Sequence, residues 1–247
     1  MKPIEQTAKW LTNSACSVIF TGAGMSTESG IPDFRSPGGV WAKYQPVYFA
    51  DFMASQEARG EYWRQKCEAH QEFADAKPNL GHRILANWEQ SDLAKGIVTQ
   101  NIDGLHQLAG SQNVLELHGT ARQAQCMTCG DLNPIEPYVR EFQETRIPPS
   151  CDKCQGPLKH ATISFGQALD QEVIDAACSW MGDAELVLAL GSSLVDHPAA
   201  GLPALAKQQG AKLVIINRDP TPLDDQADIV LRASLGETLN AINGLLN

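Results

Sequence analysis

The chain has 247 residues, of which 43% are apolar and 19% charged, and its net charge at neutral pH is −10. That length can bury a sizeable core as one large domain, or as one domain plus an insert. The acidic balance argues against a nucleic-acid partner, whose phosphates such a surface repels, and no apolar run is long enough to span a membrane.

Residues 4–13 (IEQTAKWLTN) put Ile4, Ala8 and Leu11 at helical spacing. Residues 16–20 (CSVIF) are a short β-branched run, read as a buried strand. The run enters Thr21-Gly22-Ala23-Gly24 and then Met25-Ser26-Thr27-Glu28-Ser29-Gly30. A strand, a glycine turn and a Ser/Thr/Glu-rich helix start open a parallel α/β unit. Residues 31–50 carry Pro32, Pro37, Gly38, Gly39 and Pro46 and read as a long functional loop. Residues 51–95 read as largely helical, anchored by Trp63 and Trp88. Further strands are expected at 96–99 (GIVT), 114–117 (VLEL), 185–190 (ELVLAL) and 212–216 (KLVII), with a closing helix at 236–246. Residues 121–164 differ: they hold four cysteines and five prolines, with helical periodicity only near 137–144.

The five apolar strands each end in a small or polar group: TGAG, TQN, HG, GSS and NRD. Ligands of parallel α/β sheets sit beyond the carboxyl ends of the strands, so these ends define one expected pocket. Gly22-Ala23-Gly24 suits a close approach of backbone to phosphate, although a plain tight turn explains it equally well. The dehydrogenase fingerprint fails, because Thr27 stands where its third glycine is needed and the later acidic residue is missing. The GK[ST] of a P-loop is absent too.

Ser192, Ser193, Asn217 and Arg218, at later strand ends, can bind ribose hydroxyls and phosphate, or can serve as ordinary caps and turns. His118 stands at a strand end before Gly119, where an imidazole titrating near neutrality can act as a general base; a lone His also commonly serves a structural role, and its place at a ligand-facing strand end is what favours function. Asn101 and Asp103 lie two apart after a strand, so both can face the pocket; the alternative for the two is an Asx turn with Gly104.

The cysteines carry the most specific signal. Cys126-x-x-Cys129 and Cys151-x-x-Cys154, separated by 21 residues, each aim two sulfurs at one point and together predict a closed, structural zinc site. The insert offers little apolar material of its own, and zinc binding contributes on the order of 10 kcal/mol of folding energy in finger peptides. Cys16, Cys67 and Cys178 show no pairing pattern, which fits reduced thiols and a cytoplasmic location. The N-terminal residues do not read as a secretory signal. The acidic charge favours a cationic, Lys-rich partner, although solubility alone accounts for it.

Taken together, these segments resemble the sirtuins, NAD-dependent protein lysine deacylases. GAGMSTESGIPDFR (22–35) and TQNIDGLH (99–106) look like the two long signatures of that family. ELHG (116–119), the cysteine pairs, Phe165-Gly166, GSSL (191–194) and INRDPTP (216–222) follow in the family's order. The resemblance runs from about residue 14 to the C-terminus. It implies that Gly22, Ala23, Gly24 and Thr27 line the NAD pyrophosphate with Arg35 nearby. Asp33 and Phe34 would lie in the cofactor loop, Phe34 shielding the reactive ribose carbon. Gln100, Asn101, Ile102 and Asp103 would hold nicotinamide and its ribose. Gly191, Ser192, Ser193, Asn217, Arg218 and Leu235 would bind the adenosine half. His118 would be the general base, assisted by Asn101 and Asp103. An acyl-lysine peptide would add as a strand between 162–166 and 194–197, touching Ile163, Phe165, Gly166 and Val195.

The implied reaction has the acyl oxygen attack the ribose carbon as nicotinamide leaves. His118 then takes a proton from a ribose hydroxyl, and the products are free lysine, nicotinamide and O-acyl-ADP-ribose. A protein ADP-ribosyltransferase or an NAD hydrolase on the same scaffold is the runner-up, and a non-catalytic NAD- or acyl-lysine-reading module a third possibility. Against the family pattern, His160 replaces a frequent Pro, and Gln167 replaces a frequent acidic residue. Desuccinylating members carry a Tyr and an Arg where Trp63 and Lys66 align here, so neutral acyl groups, acetyl first, are expected. The expected architecture is α/β: a Rossmann-like parallel sheet with helices on both faces over 1–120 and 165–247. A small zinc-ribbon insert takes 121–164, to which part of 35–80 can contribute. The expected partners are acyl-lysine proteins or peptides, with no nucleic acid and no membrane, and the expected state is a monomer.

Overall fold

The structure, a computed structural model, describes residues 2–33 and 45–246. Its strands are β1 (Ser17–Thr21), β2 (Gly96–Thr99), β3 (Val114–Glu116), β4 (Gly119–Cys126), β5 (Leu132–Pro134), β6 (Leu158–Thr162), β7 (Leu186–Leu190), β8 (Lys212–Ile216) and β9 (Ile229–Leu231). Six form one parallel sheet in the order β3-β2-β1-β7-β8-β9. This is the doubly wound order, with the small lobe spliced between its two halves.

Helices cover both faces, and the side-chain alternation of β1 shows how. Val18 and Phe20 point to one face, where they join Ala177 and Met181 of the helix Gln171–Asp183 and Leu202 and Ala206 of the segment that follows β7. Ile19 points to the other face, with Ala8 and Leu11 of the helix Pro3–Asn13, Leu85 and Trp88 of Leu80–Gln90, and Leu239 and Ile242 of Leu235–Asn243. A strand covered on both sides has to be apolar throughout, which is why β1, β2 and β7 are continuous hydrophobic runs. No helix among the described residues is long and apolar enough to cross a membrane.

Three expectations change. The chain after Gly22 is a 3-10 helix, Ala23–Ser29, rather than an α-helix, and it ends at Gly30 with a left-handed backbone. The sheet gains β9, an edge strand of three residues that the reading from sequence leaves unassigned. The metal-bearing lobe also has a real apolar core. Its antiparallel sheet, β5-β4-β6, supplies Ala124, Cys126 and Leu158, and the helix Glu136–Thr145 adds Tyr138, Val139 and Phe142. The other side of that core comes from far upstream: Phe52 of the helix Phe49–Ala54, and Tyr62, Trp63 and Cys67 of the helix Gln56–Asp75. Trp63 is fully buried and donates its indole N–H to the Leu158 carbonyl at 2.9 Å.

Candidate functional site

The strand order reverses between β1 and β7, and the turns after these two strands close on each other. The Gly22 N–H donates to Leu190 O (3.0 Å), and the Gly24 N–H donates to Gly191 O (2.8 Å). A Cβ at Gly24 would stand 2.8 Å from the Gly191 Cα, so glycine is required for this approach. Beyond the turns lies a cavity of about 550 Å³. Ala23, Gly24, Thr27 and Asp33 line it on one side, and Gly191, Ser192, Ser193, Asn217, Arg218 and Leu235 on the other. Gly22 does not line it; it is buried behind, against Ser192. Phe34 and Arg35 lie outside the described residues.

A second cavity of about 800 Å³ opens toward the small lobe and is lined by Ile102, Asp103, Ile163, Phe165, Gly166 and Val195 among others. The two cavities meet at Ala23, Gln100, Asn101, His118 and Asp196. A crevice at the carboxyl ends of parallel strands, of this size and with polar groups from both halves of the sheet, fits a dinucleotide. Its far end reaches His118, Asn101 and Asp103.

At that junction the side chains hold one another in place. His118 Nδ1 lies 3.0 Å from the Gln100 carbonyl oxygen, which can only accept, so the proton sits on Nδ1 and Nε2 keeps its lone pair. Burial lowers the pKa of His118, partly offset by the Gln100 carbonyl and the nearby Asp196 charge, so the ring is neutral at pH 7. Gln100 in turn accepts the Ser192 hydroxyl on its side-chain oxygen (2.7 Å), linking the two halves of the sheet.

The buried Asn101 and Asp103 converge on Ser26. The Ser26 hydroxyl donates to Asp103 Oδ2 (2.6 Å) and accepts from Asn101 Nδ2 (3.2 Å). Asp103 Oδ1 also accepts the Leu105 N–H at 2.8 Å, so this residue both closes a turn and lines the larger cavity. Burial pushes the Asp103 carboxyl up, opposed by the Ser26 hydroxyl, the Leu105 amide and the Arg122 charge.

Reasoning from sequence missed Ser26, and also Arg122, whose Nε donates to the Asp103 carbonyl (2.7 Å). It missed Thr21 and Thr99 as well: their hydroxyls pair at 2.7 Å, and Thr99 Oγ1 accepts the Asn101 N–H at 3.0 Å. Ser26 lies 75 and 77 residues from Asn101 and Asp103, and Thr21 lies 78 from Thr99, so only the fold brings these pairs together.

In the small lobe the sulfurs of Cys126, Cys129, Cys151 and Cys154 all lie within 4.8 Å of one another. Cys126 and Cys154 are 3.5 Å apart, and Cys129 and Cys151 are 3.7 Å apart. A tetrahedron with zinc–sulfur bonds of ~2.3 Å has edges of about 3.8 Å, so the set fits zinc. Four thiolates leave no open position, which makes the site structural.

Comparison with known proteins matches residues 22–198 to the model of the Sir2 family. An NAD-dependent protein deacetylase from Rhodopseudomonas palustris is 48% identical over 244 residues, covering 98% of this chain and 96% of that protein. NAD-dependent protein deacetylase 1 of Bradyrhizobium diazoefficiens is 46% identical over 243 residues, covering 98% and 95%. A solved Sir2 structure with a p53 peptide and NAD+ superposes with a TM-score of 0.88 at 37% identity, covering 98% of this chain and 97% of that one. Another, with a deacetylated p53 peptide and 3′-O-acetyl ADP ribose, gives 0.88 at 37%, covering 97% and 96%.

Proposed function

The chain belongs to the Sir2 family, and from that premise we infer that it is an NAD-dependent protein deacetylase acting on acyl-lysine. NAD supplies an activated ribose carbon when bound, and the rest follows from the chain's own residues. Ala23, Gly24, Thr27, Asn217, Arg218 and Leu235 bind the dinucleotide in the smaller cavity. Asn101 and Asp103, fixed by Ser26, hold the nicotinamide end where the two cavities meet. Ile163, Phe165, Gly166 and Val195 receive the peptide, with Phe165 and Val195 still exposed for it. His118 Nε2 takes the proton of a ribose hydroxyl, because Nδ1 is committed to Gln100.

The observation that carries this reading is the position of His118, on the rim shared by both cavities, with a neutral ring and a defined tautomer. A cysteine cluster that needs thiolates supports a reducing, cytoplasmic setting, and the acidic charge supports Lys-rich peptide substrates over nucleic acid. We take the working unit to be a monomer, since each chain carries both walls of its own cavities.

Replacing the base, His118→Ala, lowers deacetylation by about 10²–10⁴-fold, while NAD still binds. Mass spectrometry of wild-type reactions shows O-acetyl-ADP-ribose. Full activity in the variant, or ADP-ribosylated protein as the main product, overturns the reading.

A further inference from the structure

The wall of the larger cavity between Thr162 and Gln167 is held by a side chain to which the reaction assigns no task. Lys159, on β6, is fully buried. Its ammonium donates to the Thr162 carbonyl, to the His160 carbonyl (3.2 Å) and to Gln167 Oε1 (3.3 Å). The same Oε1 accepts the Ser164 N–H at 3.1 Å. Three N–H donors meet three oxygens, so the ammonium is fully used. The oxygens belong to both limbs of a bend, and the charge therefore staples the end of β6 to Gln167 across the intervening residues. Ile163, inside the staple, donates its N–H to the His118 carbonyl at 2.8 Å.

Among the described residues no counter-charge faces the cation. The titratable groups that face it are Tyr62 and Lys66 from the helix Gln56–Asp75 and His160 from its own strand, with His70 beyond His160. None is a carboxylate. A buried charge without an ionic partner is costly, and an apolar side chain would pack the site at lower cost if packing were its only role.

We propose that Lys159 is a positioning residue for the acylated peptide: its ammonium sets the shape of the 162–167 wall on which the substrate backbone docks. This rests on the reading that the peptide lies along 162–166 and 194–197. Burial, with the Lys66 charge acting in the same direction, brings the Lys159 pKa down to about 7. Above that pH two N–H donors face three acceptors and the staple loosens. The KM for peptide therefore rises with pH through neutrality, while the KM for NAD does not.

The test is steady-state kinetics on the zinc-loaded enzyme with an acetylated peptide, from pH 6 to 9. Lys159→Met raises the peptide KM at pH 6.5 about tenfold, and Gln167→Leu, at a half-buried position, raises it about threefold. Neither changes the KM for NAD more than about twofold. Gln167→Glu gives the ammonium an anionic partner, so it keeps the low peptide KM and extends it to higher pH. Val195→Asp, on the opposite wall, tests the groove alone by raising the peptide KM.

If Val195→Asp acts while Lys159→Met and Gln167→Leu leave the peptide KM at the wild-type value, the groove stands and the staple is wrong. If none of the three acts, the groove reading itself fails. Should Lys159→Met not fold, an unchanged peptide KM in Gln167→Leu together with an unchanged pH profile in Gln167→Glu overturns the proposal. So does a rise in both KM values in Gln167→Leu.

Discussion

The geometry of the site depends on small polar side chains that hold its larger polar groups in place. Ser26 is one: a single hydroxyl serves both Asn101 and Asp103, donating to one and accepting from the other. Ser26→Ala leaves the Asp103 carboxyl short of a donor and pushes its pKa further up, and it frees the Asn101 carboxamide. Hydrogen bonds to charged groups contribute ~1.5–3 kcal/mol, so nicotinamide release, followed as NAD consumption, falls about 10–100-fold. Zinc content and the KM for peptide stay at wild-type values. That His118, Asn101 and Asp103 line one cavity was legible in the sequence, because each follows an apolar run that ends in a glycine-bearing turn. Ser26 was not, because its neighbours Met25 and Thr27 give no hint of partners some 75 residues further on.

At the scale of elements, the helices Leu80–Gln90 and Leu105–Ala109 meet through two buried imidazoles, His82 and His106, whose ring centres lie 4.8 Å apart. Asn79 caps the first helix by accepting the His82 N–H (3.2 Å), and His82 Nδ1 returns the contact by accepting the Asn79 N–H (3.3 Å). That box closes only with a neutral ring. Burial, together with the Arg83 charge, brings the His82 pKa down to about 4, and burial lowers that of His106 as well. A depressed basic group favours the fold above its unfolded pKa. Stability is therefore complete above about pH 6.5 and declines as the pH falls toward 4, by about 3 kcal/mol for His82 alone. Gln at the same helical position can close the capping box without titrating. Urea denaturation at pH 7 and pH 4.5 should show His82→Gln losing less stability on acidification than wild type; equal losses refute the assignment.

The same scale explains what the sequence hid. β1, β2, β7 and β8 announce themselves as apolar runs because helices cover both of their faces. β9 is three half-buried residues at a sheet edge, and β4 reads GTARQAQC, mostly polar with no clean alternation. Part of its path is irregular, since the pairing with β6 shifts register between Gly119 and Ala124. Gly119 has φ +69°, and a Cβ there would collide with the Ala161 carbonyl at 2.0 Å. The glycine thus turns the chain directly after His118, an effect visible in the sequence only as a dipeptide.

At the scale of the whole molecule, metal and packing stabilise the small lobe together. One zinc per chain is expected on metal analysis of protein prepared without chelator. Removing it leaves four unligated cysteine side chains crowded around one point and lowers the thermal midpoint. The tryptophan emission shifts as well, because Trp63 packs in the core beside the cysteine hairpins. An unchanged melting curve after complete metal removal would sink the structural assignment. Activity falls with the lobe, since β6 continues into the wall that faces His118.

That core is assembled from two stretches of chain, Phe52 to Cys67 and Ala124 to Leu158, with β2 and β3 of the larger sheet lying between them in sequence. The hairpins alone, expressed as an isolated fragment, would carry the ligands but lack the aromatic half of their lining. A chimaera meant to exchange this region with a relative must therefore graft two separate segments, and a one-piece swap would seat foreign hairpins on native tryptophan and tyrosine rings.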